Sequence, residues 1–212
     1  MRGSAGSQQG ARRPNRRSIR LPGYDYSQAG AYFVTICTKN RECLFGDMVN
    51  HEMALNNAGR MVEIVWNELP EYYPRVSTDI FQIMPNHIHG IIIIVGATPR
   101  GCPTTPRGCP TSGQAQGPAP TGGTAGVGRT LSLPDIVHRF KTMTTKRYAD
   151  GVKQYGWPPF PGKLWQRNYY EHIIRNKNEM VRIREYITNN PTQWTTDREN
   201  PLAKTESHPA GS

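Results

Sequence analysis

Apolar residues along this chain fall into two periodicities. Residues 31–38 (AYFVTICT) are β-branched and aromatic, and residues 78–84 and 88–95 share that character, so the pattern predicts three strands. Pro85 and Asn86 mark a turn or bulge between the last two. Over 51–73, Met53, Leu55, Met61, Val62, Val65, Trp66 and Leu69 recur at mostly helical spacing and predict a first helix. A second helix starts where Ser132 or Asp135 can cap it, with Ile136, Val137, Phe140, Met143 and Tyr148 on one face and Arg139, Lys141, Lys146 and Arg147 on the rest. Residues 163–174 (KLWQRNYYEHII) read as a final strand, and a last helix over 178–190 is stopped by Pro191. The order β, α, β, β, α, β, α fits an α+β sandwich of ferredoxin type, an antiparallel sheet with helices packed on one face.

Three stretches interrupt this pattern. Residues 1–20 hold Arg2, Arg12, Arg13, Arg16, Arg17 and Arg20 without one acidic residue, the composition of a flexible basic arm. Gly and Pro fill almost half of residues 96–128, and the string TPRGCP at Thr98 recurs at Thr105. Such a segment buries too little apolar surface to offset its ordering entropy, so residues 96–130 are expected to form an insertion loop. The polar residues 195–212 are expected to be a disordered tail. One domain over 21–194 remains, as a length of 212 residues leads one to expect.

Charge narrows the partners. Lys and Arg number 26 against 16 Asp and Glu, a formal net charge of +10, which favours a polyanion such as nucleic acid or an anionic membrane surface. The longest apolar run, Ile91 to Val95, is far short of a bilayer span, and the N-terminus lacks the apolar core of a secretory signal. The expectation is a soluble protein of the cytoplasm. Four cysteines without paired short spacings are read as reduced thiols.

The most specific string is Met84-Pro85-Asn86-His87-Ile88-His89-Gly90. On a strand, residues i and i+2 point to one side, so His87 and His89 project together while Ile88 turns toward the core. Two converging imidazoles can hold one divalent cation; the plainer alternative is a pair of surface histidines. In the last helix Tyr186 and Asn190 are four apart and share a face, with Ile183 and Ile187 as apolar packing beside them. A tyrosine with an ordinary pKa of about 10 is a poor nucleophile and needs a metal or a basic neighbour. The plainer alternative is a half-buried tyrosine on an amphipathic helix. Tyr169 and Tyr170 are rival nucleophiles; packing or DNA contact is the preferred role for them, and a structural or phosphate-contacting role for His172.

Together these strings resemble the single-tyrosine HUH transposases, in particular their REP-associated tyrosine transposase branch. The resemblance spans most of residues 16–194: RRSIRLPGYDYSQAGAYFVTICTKNRECLFG, PNHIHGIII, LWQRNYYEHIIRN and YITNNP. It implies an HUH nuclease fold, with His87 and His89 as the metal-binding pair, Tyr186 as the catalytic tyrosine and Asn190 completing the metal site. Many insertion-sequence members carry Gln at that last position, whereas the REP-associated branch resembles this chain in having Asn. The implied activity is metal-dependent cleavage and strand transfer on single-stranded hairpin DNA. Mg²⁺ or Mn²⁺ assists, and Tyr186 forms a 5′-phosphotyrosine link in a monomer or homodimer.

For DNA contact the candidates are the arm residues Arg12, Arg13, Arg16 and Arg17, the helix residues Arg139, Lys141, Lys146 and Arg147, and Trp165 and Arg167. A different class of protein, a catalytically silent hairpin-DNA binder, would share the basic surface but has no need of the His87, His89, Tyr186, Asn190 set. An RNA-binding module of similar topology would carry an aromatic signature absent here.

Overall fold

A four-stranded antiparallel sheet forms the centre of the molecule, seen in a computed structural model that describes residues 20–96 and 131–203. Its strands are β1 (Gly30–Cys37), β4 (Val76–Ile83), β5 (His87–Ile94) and β6 (Tyr170–Ile174), in the order β4-β5-β1-β6. A short hairpin, β2 (Gly46–Val49) with β3 (Glu52–Leu55), precedes helix α1 (Asn57–Asn67) and the single turn α2 (Leu69–Tyr72). Helix α3 (Leu133–Tyr155) and helix α4 (Lys177–Asn189) follow β5 and β6 respectively. The expected α+β sandwich of ferredoxin type is the fold observed.

Local chemistry sets the boundaries. The Asn56 side chain accepts from the Gly59 N–H at 2.9 Å, capping α1 where its predecessors are still extended. The helix expected over 51–73 therefore begins late, since Met53 and Leu55 belong to the hairpin, and Pro70 separates α2 from α1. At the start of α3 the Asp135 carboxylate accepts from both the backbone N–H and the hydroxyl of Ser132, and Gly156 ends the helix at φ 66°. Asn176 caps α4 through the Glu179 N–H. The strand expected over 163–174 is shortened to its last five residues. Before it the backbone is held elsewhere, by the Gln166 N–H to the Cys37 carbonyl (2.9 Å) and by Lys141 on the Gln166 and Asn168 carbonyls (2.9 and 3.2 Å).

The two faces of the sheet are covered differently. Tyr32, Val34 and Ile36 of β1 and Ile88, Ile92 and Ile94 of β5 pack against Val62, Val65 and Trp66 of α1 and Ile136, Val137 and Phe140 of α3. Gly90 is the position where Trp66 crosses the strand: a Cβ there would stand 2.4 Å from the indole ring. Helix α4 lies on the opposite face, where Ile187, Ile183 and Met180 pack on Phe33, Ile91 and Ile174. The first two helices thus share one face as expected, and the last takes the other.

Of the stretches expected to be flexible, residues 1–19 and 97–130 lie outside the described residues. The expected tail does not begin at 195. A 3-10 turn, Pro191–Thr196, follows α4, and the chain to 203 folds back on the domain. Glu199 anchors it, accepting from Asn86 Nδ2 through its carbonyl at 2.7 Å and pairing with Arg41 at 2.9 Å.

Candidate active site

Strand alternation places His87 and His89 on the α4 face while Ile88 enters the core, as the motif spacing predicts. The two rings are buried, and their Nε2 atoms stand 3.0 Å apart. Each Nδ1 has its own partner. Asn86 Oδ1 lies 2.8 Å from His87 Nδ1, and Thr35 Oγ1 lies 2.8 Å from His89 Nδ1. The Asn86 amide is fixed in orientation because its Nδ2 donates to the carbonyls of Arg41 and Glu199. An amide oxygen can only accept, so His87 carries its proton on Nδ1 and turns an Nε2 lone pair into the site. With His87 Nε2 as acceptor, His89 donates from Nε2 across the 3.0 Å contact and accepts the Thr35 hydroxyl proton at Nδ1. Because that hydroxyl can also accept, the opposite tautomer is equally supported once a cation replaces the contact. Burial drives both imidazoles down to about 3, so at neutral pH both are uncharged, the state a metal ligand requires.

Helix α4 brings the other two predicted residues to the same place. The Tyr186 ring, half-exposed, lies 5.3 Å from the His89 ring and 5.9 Å from Phe33, centroid to centroid. One turn on, Asn190 is 2% exposed, and its amide lies near enough to His87 and Tyr186 to act on the titration of each. Its Oδ1 nevertheless has no hydrogen-bond partner. A buried carbonyl oxygen beside two neutral imidazoles is chemistry that could hold a cation. The Tyr186 phenol is pushed up, first by its partial burial and then by the charges of Asp197 and Glu199. Among the described residues the net push is therefore away from a phenolate at neutral pH, with only the Asn190 amide acting the other way.

Asp197 is a candidate metal ligand that the sequence alone did not single out. Its Oδ2 stands 3.9 Å from His87 Nε2, and one ligand atom each from His87, His89 and Asp197 lie within 4.8 Å of one another. These three groups can hold a metal ion. Expecting a disordered tail from 195 hid the carboxylate, which reaches the site only because the 3-10 turn reverses the chain. A signal was present, since Asp197 and Glu199 are the only acids between Asn190 and residue 203. Trp194 of the same turn tilts against the His87 ring at 6.1 Å.

The other candidates are dispersed. Tyr169 and Tyr170 face opposite ways: Tyr169 packs on the α3 side beneath Arg20 and Lys141, and Tyr170 stands exposed 6.1 Å from Phe33 on the α4 side. His172 is bound to Glu179 at 2.6 Å, a tie between β6 and α4. Trp165 is buried against Phe45 and Phe140 and donates its indole N–H to Thr144, so the base-stacking ring expected there is a core residue. Arg139 stacks on Tyr72 at 4.2 Å, and Arg147 grips both carboxylate oxygens of Glu68. Lys141 is held on backbone carbonyls and pulled down by burial to about 8. Lys146 and Arg167 are exposed, and Arg12, Arg13, Arg16 and Arg17 lie outside the described residues. Cys37 and Cys43 are free thiols. No helix among the described residues is long and apolar enough to cross a membrane.

No model of a known protein family matches the sequence. Among solved structures, the fold is similar to that of a REP-associated tyrosine transposase bound to a REP hairpin. The TM-score is 0.50 at 15% identity, covering 82% of this chain and 73% of that one. This likeness makes the fold transposase-like. In sequence, the chain is 40% identical over 184 residues to an uncharacterized protein of Haemophilus influenzae, a match covering 87% of this chain and 92% of its relative. By that extent and identity, the chain belongs to the same family as the Haemophilus influenzae protein.

Proposed function

We propose that this protein is a metal-dependent single-stranded DNA endonuclease and strand transferase that acts at hairpin DNA through a covalent 5′-phosphotyrosine on Tyr186. The observation that carries the reading is the convergence of a half-exposed tyrosine, two buried neutral imidazoles, an unpaired Asn190 oxygen and a carboxylate on one face of the sheet. A core needs none of these groups there, and a pure binder gains nothing from them. The similar structure that holds a REP hairpin supports hairpin DNA as the substrate class.

A divalent cation, Mg²⁺ or Mn²⁺, would be held by His87, His89 and Asp197 with Asn190 beside them, and would supply Lewis-acid stabilisation of charge on the scissile phosphate. The mixed nitrogen and oxygen donors suit Mn²⁺ at least as well as Mg²⁺. Asn86 and Thr35 hold the two rings in place for that duty. Tyr186 Oη forms a bond to phosphorus as the bond from phosphorus to the 3′ oxygen breaks. The phenol gives up its proton, and the departing 3′ oxygen gains one to become a hydroxyl. Because the new phosphodiester keeps the bond energy, a 3′ hydroxyl can reverse the step on another end without ATP. Tyr186 lies against the His89 ring of its own chain, which supports a site assembled within one copy, in a monomer or a homodimer.

Incubating the protein with single-stranded DNA from the flanks of its own gene tests this reading. The expected result is an adduct that survives denaturation, requires Mn²⁺ or Mg²⁺, and maps to Tyr186. Tyr186→Phe should abolish it with DNA binding nearly unchanged; an adduct that persists in this variant removes Tyr186 from the role.

A further inference from the structure

After β1 the chain makes a tight turn, Lys39–Arg41, in which Asn40 (φ 58°) and Arg41 (φ 60°) both take the left-handed conformation. Residues with a Cβ rarely adopt it. Asn50 and His51 do so as well, but they form the two-residue loop of the β2–β3 hairpin, where the twist of the strands asks for it. β1 and β2 belong to different sheets, so the same backbone at Asn40 and Arg41 has another origin. It is held by its surroundings. The Thr38 N–H donates to the Asn86 carbonyl (2.8 Å), the Lys39 N–H to the Leu164 carbonyl (2.8 Å), and Asn86 Nδ2 to the Arg41 carbonyl (3.0 Å). Backbone strain imposed by neighbours in this way clusters at functional sites.

The turn brings a cation to the candidate active site and ties it there at both ends. The Arg41 carbonyl meets the Asn86 amide that orients His87, and the Arg41 Nε pairs with the Glu199 carboxylate at 2.9 Å. The charge of Arg41 disfavours protonation of His87, and the charge of Glu199, which Arg41 touches, is felt at Tyr186. The Arg41 side chain is 42% exposed, so it is reachable from solvent.

Attack of Tyr186 Oη on a phosphodiester raises the charge on the phosphoryl oxygens, because the phenol proton has left and the 3′ oxygen has yet to gain one. The other protein groups around the site do not offset that change: the imidazoles are neutral, and Asp197 and Glu199 are acids. A guanidinium does offset it, since it is always charged and its fork gives two N–H donors to two phosphate oxygens. We infer that Arg41 is a catalytic residue, leaving Glu199 to donate to the non-bridging oxygens of the scissile phosphate while Tyr186 attacks. In the free protein the Glu199 carboxylate occupies the place on Arg41 that the phosphate takes in the complex. This role rests on the strand-transfer reading above.

The test measures the rate of adduct formation at saturating DNA, in Mn²⁺, on the flank oligonucleotide that gives the Tyr186 adduct. Arg41→Gln should slow this step by about a hundredfold or more, while DNA affinity and Mn²⁺ affinity fall by less than about fivefold. Arg41→Lys, which keeps the charge and loses the fork, should restore part of the rate. A second substrate carries a methylphosphonate, which lacks the negative charge, at the scissile position. On it Arg41→Gln should come within about fivefold of wild type, because the charge that Arg41 meets is gone. Arg198→Gln, which removes a 91% exposed cation 3.9 Å from Glu199, should leave the rate unchanged.

An Arg41 that only anchors residues 191–203 through Glu199 gives a different pattern: equal losses in Arg41→Gln and Glu199→Gln, on both substrates, with weakened Mn²⁺ binding. That pattern overturns the inference, as does a loss confined to DNA affinity. An adduct formed equally fast by Arg41→Gln defeats the role of Arg41 and leaves strand transfer standing. Wild-type protein that forms no adduct defeats both.

Discussion

Strand β5 presents two unlike surfaces to the two sides of the sheet. Toward α1 and α3 it sends Ile88, Gly90, Ile92 and Ile94, all buried and all apolar apart from the glycine that admits Trp66. Toward α4 it sends His87 and His89 and only then Ile91 and Ile93. The first face is a core in the ordinary sense, where close packing and area removed from water stabilise the fold. The second is equally dry at its histidine end, but its contents are polar groups that burial holds uncharged, with an amide oxygen left unpaired. Burial serves stability on one side and holds polar groups uncharged on the other. The helices differ in the same way: α1 contributes six buried residues, whereas Ile187 is the single fully buried residue of α4, whose other ties include the Arg184–Asp79 pair at 2.7 Å.

If the faces are divided in this way, substitutions on them separate metal binding from folding. The largest effect is expected from His87→Ala or His89→Ala, either of which should lower Mn²⁺ affinity by two orders of magnitude or more in calorimetric or EPR titration while the protein stays folded. Asp197→Asn should cost about tenfold or more, and Asn190→Ala less. A normal affinity in Asp197→Asn, with loss in Asn190→Ala, would return the third position to the residue expected from the sequence.

On the other face, Gly90→Ala should destabilise by about 1–3 kcal/mol, because the added methyl meets the Trp66 ring and must displace it. The melting temperature reads this. Residual folded protein should still bind Mn²⁺, and a selective loss of metal binding at unchanged stability would break the division.

The last test concerns pH. The folded-state pKa values of His87 and His89 are depressed to about 3 from an ordinary 6.5, so below 6.5 the unfolded chain binds protons that the folded one refuses. Their neutral burial is compatible with full stability above about pH 6.5 and erodes it as pH falls toward 3. The limiting slope is about 1.4 kcal/mol per pH unit for each ring. Urea melts of metal-free protein at pH 7.5 and 5.5 should show the loss, and His87→Gln with His89→Gln should flatten it. An equal slope in the double variant would assign the pH dependence to other groups.

Much of this was legible in the chain because it depends on local periodicity. Alternation in β5 aimed His87 and His89 together, and the four-residue step put Tyr186 and Asn190 on one face beside Ile183 and Ile187. These follow from strand and helix geometry whatever the rest of the protein does. Local pattern failed where two periods overlap, as at Met53 and Leu55, which fit the front of a helix and also the inward side of a hairpin. It failed again over 163–169, where aromatic residues suggested a strand but the carbonyls are taken by Lys141.

What the sequence determined by itself was the order of elements and the pairing of chemical groups within each one. Only the tertiary structure decided that α4 crosses the histidine face and that Asp197 returns to it. It likewise sent Trp165 into the core and brought Arg41 to Glu199. Those outcomes depend on contacts between residues far apart in the chain, such as Asn86 with Glu199, and no local period encodes them. A polar segment like 191–203 looks unstructured until the buried amide that anchors it has itself been placed.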